Sequence, residues 1–335
     1  MSPSASIFSL EDPGIRERWE SLQKDSVIRT PFATLGYVED LSNVLHLPVK
    51  AAIVTAKEDV AGLLFLEERK SGMKYNSPQG FTPFSGLAAK NIPTGAEIHS
   101  RDTWYESLIQ LLHGQLSKTD LVLPPNIQDV RSFQWASWQV SPLYTFKLDV
   151  SDPDRFLSGW SEGAHRLYAK MKDQYELTSS SDHEHHIVQM CLEAYERSNR
   201  TPPLTSDQLE GLVLRQIRRG QGVCYTVHQT NGTAPGTKPG AAPSAGVVVL
   251  GEAPDAYYWV AGSIPGPAMT ILLGKLSYEL SKRGYKTFDL VGANTPSIAE
   301  FKRRFNPVLT PYFRVRHVRN RLLRIFFSLK EANRL

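Results

Sequence analysis

The chain has 335 residues, 41% of them hydrophobic and 21% charged; this is too long for one small core and is ordinary globular composition, which excludes the disordered and fibrous classes. Its formal net charge of +4 is local, because residues 314–335 carry +6 and the remaining 313 residues −2, so the body gives no basis for general nucleic-acid affinity. Pieces such as VAGLLFL fall well short of the ~18 apolar residues of a membrane span, and MSPSASIFSLEDPG lacks the basic and apolar regions of a secretory signal.

In chain order, the first third reads as mixed α/β. AAIVTA (51–56) and VAGLLFLEER (60–69) flank the turn-prone KED and predict a hairpin. SPQGFTPFSGLAAKNIP (77–93) is rich in Pro, Gly and Ser and reads as loop. Residues 102–116 place Trp104, Leu108, Leu111, Leu112 and Leu116 at helical spacing behind a capping Asp102. LVLP (121–124) and PLYTFKLDV (142–150) read as strands.

The second part begins with a helix over 153–173 carrying Arg155, Arg166, Lys170 and Lys172. Helices follow at 183–198 and at 205–218, the latter opened by Thr205 or Ser206. Strands are expected at 223–228, 245–251 and 256–262, with a flexible Gly/Pro/Ala/Thr hairpin loop over 229–245. The NGT in that loop matches a glycosylation sequon, which is empty without secretion. A helix over 268–284 presents Met269, Leu272, Leu273, Leu276 and Leu280 on one face and stops at Gly284. FDLVGANTPSIAEFKRRFNP (288–307) is then strand, break and short helix, and TPYFRVRHV (310–318) a last strand. Such alternation predicts a partly parallel sheet covered by helices.

FDLVGANTPSIAEFKRRF resembles the strand–Gly–helix signature of FemABX-type aminoacyltransferases, relatives within the acetyltransferase (GNAT) superfamily. SPQGFTPFSGL, DVRSFQWASWQVSPLYTFKLDV (129–150) and SEGAHRLYAK match further stretches in the same order. The resemblance spans residues 30–313 and implies an α/β (α+β) fold of two side-by-side GNAT-like domains, each a mixed sheet covered by helices. Residues 1–150 would form the first, 151–313 the second with the FKxxF motif, and 314–335 a basic amphipathic tail. Two departures stand out: Asn306 occupies a position where the family has Gly, and the helix at 161–170 is less basic than usual.

The resemblance implies transfer of an acyl or aminoacyl group to an amine, on a cell-envelope precursor by family analogy. Amide formation from an ester or thioester needs an aligned neutral amine and positive charge for the oxyanion, but no protein nucleophile. Lys302 is the residue the resemblance selects for that charge. Periodicity alone would leave it as one of three consecutive solvated cations. Asp289 interrupts an apolar strand, and either accepts bonds from the following break or holds or deprotonates the acceptor amine. By the same resemblance Arg166, Gly292, Asn294, Phe301, Phe305 and Tyr312 are substrate-contacting positions. Phe301 and Phe305 also pack the Lys302 helix, and Asn294, Thr295 or a Ser297–Glu300 box could cap it.

No tightly bound cofactor is expected; the co-substrate is an aminoacyl-tRNA or an acyl-CoA. AGSIPGPAMT (261–270) lacks the Q/R-x-x-G-x-G/A phosphate cradle of CoA enzymes, which favours a tRNA-borne donor, although helix N-termini bind phosphate without a motif. The alternatives are an acyl-CoA-dependent N-acyltransferase of a small amine and a catalytically silent ligand-binding relative. DHEHH (182–186) lacks metal-ligand spacing and reads as a polar helix start, so no metal is expected. Cys191 and Cys224 form no CxxC and read as buried thiols in a reducing cytoplasm. Trp135 and Trp138 read as core before they read as a stacking platform. In the tail, Leu322, Ile325, Phe326 and Leu329 share a helical face opposite most of the arginines. That face would dock on the body, on an anionic membrane surface at the inner membrane, or beside RNA phosphates.

Overall fold

The computed structural model describes residues 3–95, 103–230 and 242–320. The chain divides into two compact units, one of residues up to 143 together with those from 311, the other of residues 144–310. Strands and helices run in the order β1 (Ser4–Ser9), α1 (Ile15–Lys24), α2 (Leu35–Leu45), β2 (Val49–Thr55), β3 (Asp59–Leu66), β4 (Glu68–Lys70), β5 (Met73–Tyr75), β6 (Gly86–Ala89), α3 (Trp104–Gln115), β7 (Lys118–Val122) and α4 (Arg131–Trp135). Next come β8 (Gln139–Asp149), α5 (Pro153–Ser158), α6 (Glu162–Met171), β9 (Tyr175–Ser179), α7 (Glu184–Arg197), α8 (Ser206–Arg218), β10 (Gly222–Gln229), β11 (Ala245–Leu250) and β12 (Asp255–Ser263). The series closes with α9 (Ala268–Lys282), β13 (Thr287–Asp289), α10 (Pro296–Lys302) and β14 (Val308–Val318).

In the first unit, the expected hairpin is β2–β3, the centre of an antiparallel sheet β1-β2-β3-β6 with Ala52 opposite Leu63. A second set, β4-β5-β7 with the later part of β14, follows, and Val315 of β14 pairs with Leu121 of β7. Leu63, Leu87, Trp104, Leu108, Leu112, Leu121 and Val315 build its core with α3. Trp138 packs there edge-on to Phe133 at 5.4 Å, whereas Trp135 is exposed with the Arg131 guanidinium over its ring. The residue before α3 is Thr103, without a side-chain cap bond; Asp102 lies outside the described residues.

The second unit holds a sheet in the order β8-β13-β12-β11-β10-β9. Its neighbours are antiparallel except β12 and β13, which run parallel. The apolar face of α9, with Leu272, Leu276 and Leu280, covers one side beside Phe288 and Val247; each such buried leucine contributes about 1.5–3 kcal/mol. On α7, Met190 and Cys191 press against β12 at Gly262, where a Cβ would stand 2.3 Å from the Met190 backbone. The small residue there is what lets α7 lie flat on the strand.

Three differences from the sequence reading have tertiary causes, the first being β6 inside the 77–93 stretch read as loop, which forms because β3 supplies its partner, Leu63 opposite Leu87. The helix expected over 153–173 is two helices, because Trp160 turns into the core and the Ser161 amide donates to the Arg304 carbonyl at 2.8 Å. β9 forms in a segment with no clear alternation because β10 supplies its partner, Val227 opposite Leu177. Thr205 is the cap of α8, in a reciprocal box with Gln208. Most of the 229–245 loop with its NGT, and the tail from 321 onward with its Leu322–Leu329 face, lie outside the described residues, while residues 314–318 belong to β14. Among the described residues no helix is long and apolar enough to cross a membrane.

Candidate active site

β12 and β13 stay in register only to Tyr257 opposite Asp289. From there the backbone of residues 290–293 follows β8, with the Leu290 amide donating to the Phe146 carbonyl and the Ala293 amide to that of Tyr144, both at 2.8 Å. β12 continues to Ser263 with no register partner on that side among the described residues. It also carries a bulge against β11, since Val249 faces Tyr258 and Val248 faces Val260. The strands therefore part, with half-buried Tyr258, Val291, Gly292 and Ala293 at the divergence.

The break is made by two successive residues in the left-handed region, Val291 at φ 49° and Gly292 at φ 89°. Glycine adopts this freely; a β-branched valine does so only when its surroundings over-determine it. Those surroundings are specific. The Val291 amide donates to Asp289 Oδ1 at 2.8 Å and the Gly292 amide to Thr145 Oγ1 at 3.2 Å. Thr145 in turn donates to Asp289 Oδ1 at 2.5 Å. From α10, Lys302 Nζ donates to the carbonyls of Leu290, Val291 and Gly292 at 2.5, 3.1 and 3.0 Å.

Lys302 is thus not a solvated cation like its neighbours. It is 7% exposed, and its ammonium lies 5.5 Å from the centroid of the Tyr258 ring. Arg303 and Arg304 point outward, each 4.0 Å from Glu300. Burial pushes the Lys302 pKa down to about 8, against the pull of the Asp289 charge. Asp289 is 2% exposed, and burial raises its pKa, opposed by the Thr145 and Val291 bonds. Its Oδ2 is buried with no hydrogen-bond partner among the described residues.

Asp289, Gly292 and Lys302 therefore meet in one loop. Asn294 sits beside them, but it does not cap α10: its side chain accepts from the Tyr144 amide at 2.8 Å and donates to the Tyr144 carbonyl at 3.1 Å, as a strand neighbour would. Thr295 precedes Pro296 at the helix start without a side-chain cap bond, so the Ser297–Glu300 box falls inside the helix. Phe301 packs edge-on to Phe305 at 5.1 Å, and wholly buried Phe305 meets Trp160 at 4.8 Å. Arg166 is exposed on α6 and pairs with Glu162 at 3.2 Å. Tyr312 belongs to the first unit, edge-on to Phe84 at 5.4 Å. Asn306 adopts φ 51°, the conformation glycine would supply, and its side chain lies against Gly159.

The sequence reading missed Thr145 and Tyr258, which are ordinary strand residues until the loop folds onto them. In the 182–186 stretch, His183 lies between His186 and His228 of β10, with ring centroids 6.1 Å and 4.9 Å away. Among the described residues no group of three or more His, Cys, Asp or Glu is arranged to hold a metal ion. Burial pushes the thiols of Cys191 and Cys224 up to about 11 and 12, far from reactive thiolates.

No family model and no curated relative matches the sequence. Solved structures do match in three dimensions. FemX superposes with a TM-score of 0.66 at 8% identity, over 92% of this chain and 96% of its own. L-PGS from Bacillus licheniformis gives 0.56 at 12% identity, over 95% of each chain. A tandem GNAT protein from the clavulanic acid biosynthesis pathway gives 0.52 at 12% identity, over 95% and 99%. These likenesses extend along almost the whole chain, which shares the fold of these structures.

Proposed function

We propose that the chain is an acyltransferase moving an aminoacyl or acyl group from an activated donor onto an amino group. The observation that carries this reading is the buried Lys302 ammonium at the point where β12 and β13 part, in a chain that folds like FemX. The acceptor amine attacks the donor carbonyl carbon in the gap, and the carbonyl π pair becomes an oxyanion. Lys302 stabilises that charge by exchanging one loop carbonyl for the oxyanion. Asp289, whose Oδ2 has no hydrogen-bond partner among the described residues, takes the proton from the amine. Collapse of the intermediate forms the amide and expels the alkoxide or thiolate of the donor.

The missing phosphate cradle at 261–270 favours a tRNA-borne donor over acyl-CoA, and a cell-envelope precursor, met in the cytoplasm or at the membrane surface, is the acceptor we favour. One observation supports a second reading. All three Lys302 donors are already satisfied by backbone, as they would be in a silent ligand-binding relative where the lysine only braces the loop. Purified protein mixed with charged tRNA or acyl-CoA and candidate amines, read by mass spectrometry of the amide product, separates the two. Turnover that drops about 10²–10³-fold in Lys302→Ala supports the catalytic reading. Full turnover in that variant refutes it.

A further inference from the structure

Away from Lys302, the turn of residues 181–183 and the first turn of α7 bring His183, His185 and His186 to His228 of β10. His183 is the centre of the group, 4.9 Å from His228 and 6.1 Å from His186 between ring centroids. His185 is exposed, 6.0 Å from the His186 ring, with its Nδ1 3.1 Å from Glu210 of α8. The other three rings are half-buried.

Neutral rings suit this place and charged rings do not. Nε2 of His228 lies 3.0 Å from Thr226 Oγ1, which is itself 2.8 Å from Thr178 Oγ1. His183 and His186 have no such relief: Nδ1 of each is buried with no hydrogen-bond partner among the described residues. A neutral imidazole can keep a lone pair at that nitrogen, whereas an imidazolium carries a proton on both. A charged His183 in the same seat would bury a donor that nothing accepts, against two rings that can also charge.

The surrounding groups do not offset this. Burial lowers the His183 pKa from its ordinary 6.5, helped by His228 and His186, and the opposing pulls of Asp182 and Glu184 are weaker. Burial and then the Glu184 charge push the thiol of Cys224, on β10, up to about 12. On β9, Glu176 stands opposite His228 but is exposed, and Glu210 of α8 is engaged by His185. A seated His183 therefore binds protons less readily than a free one, so acid favours the free ring below its ordinary 6.5. Ile187 and Val188, 0% and 1% exposed, anchor the next turn, which confines the release to the residues before them.

We propose that His183, His186 and His228 form a proton-operated latch, which seats the start of α7 on β10 while neutral and lifts the turn at 181–186 off the strand when protonated. Cys224 can report the opening, because it is 2% exposed and alternates with Thr226 and His228 on one face of β10. Cys191, pressed on β12 at Gly262 beyond the anchored turn, is the internal reference. Full-length protein is labelled with dithiodipyridine, which reacts with thiols in acid, and the two cysteines are followed separately by peptide mass spectrometry. From about pH 7.5 to about pH 5.5, one released histidine should raise the Cys224-to-Cys191 labelling ratio about tenfold. His183→Asn and His183→Gln cannot charge and should each lose most of that rise, with near-UV circular dichroism at neutral pH matching wild type. His165→Gln, exposed on α6, should keep it. The latch is overturned by a constant ratio in the wild type, by an undiminished rise in a folded His183 variant, or by loss of the rise in His165→Gln. The wild-type ratio decides even where a His183 variant fails to fold. No acyl donor or acceptor enters the measurement, so its outcome is independent of the acyl-transfer reading.

Discussion

Replacing Lys302 by Met keeps the length and apolar stem of the side chain and removes the ammonium. In the folded chain the amine titrates near 8, against its ordinary 10.5. At about 1.4 kcal/mol per pH unit, the charged form is disfavoured by burial by about 3 kcal/mol relative to the unfolded chain. The sign follows from proton counting. Between pH 8 and 10.5 the unfolded chain holds the Lys302 proton and the folded chain has released it, so stability rises with pH across that window. The methionine variant has no such proton. The wild type minus Lys302→Met difference in unfolding free energy should therefore grow by about 3 kcal/mol from about pH 7 to pH 10.5, and titrations of groups not coupled to Lys302 cancel in the difference. Urea unfolding followed by far-UV circular dichroism at half-unit pH steps measures it. A difference constant to within about 0.5 kcal/mol would refute the reasoning: the three carbonyls would then hold the ammonium at its ordinary pKa.

Thr145→Val keeps the shape of the side chain but strips Asp289 Oδ1 and the Gly292 amide of one partner each. It should cost about 1–3 kcal/mol in urea unfolding, and Thr145→Ser should recover most of it; equal stability of the Val variant would show that the break holds itself. Asn306→Ala places an ordinary side chain at φ 51° and should lose about 1 kcal/mol, whereas Asn306→Gly should stay within ~0.5 kcal/mol of wild type by thermal melting. The reverse order would remove backbone conformation as the reason for Asn306.

Much of this architecture could be read before folding. β2–β3, α3, α8, β10 to β12 and α9 each satisfy their own periodicity and punctuation, so local pattern and tertiary packing agree. The division of 153–173 into α5 and α6 could not be read, because the cause, the seat of Trp160 beside Phe305 and the bond from Ser161 to Arg304, lies far away in sequence. The site shows the same split. The charge of Asp289 in an apolar strand is a local inconsistency, and it singled itself out. Lys302 stood out only through the motif around it, since a cation beside two arginines has no local mark of burial. Thr145, 144 positions before Asp289, carries no signal until the sheet brings them together.

The contact between Gly159 and Asn306 makes the two positions interdependent. A methyl group on Gly159 would come within 2.8 Å of the Asn306 amide nitrogen, so the room that glycine gives up at 306 is returned at 159. Substitution effects there will not add: a larger residue at 159 must turn the Asn306 amide aside, and it meets no such neighbour once 306 is glycine.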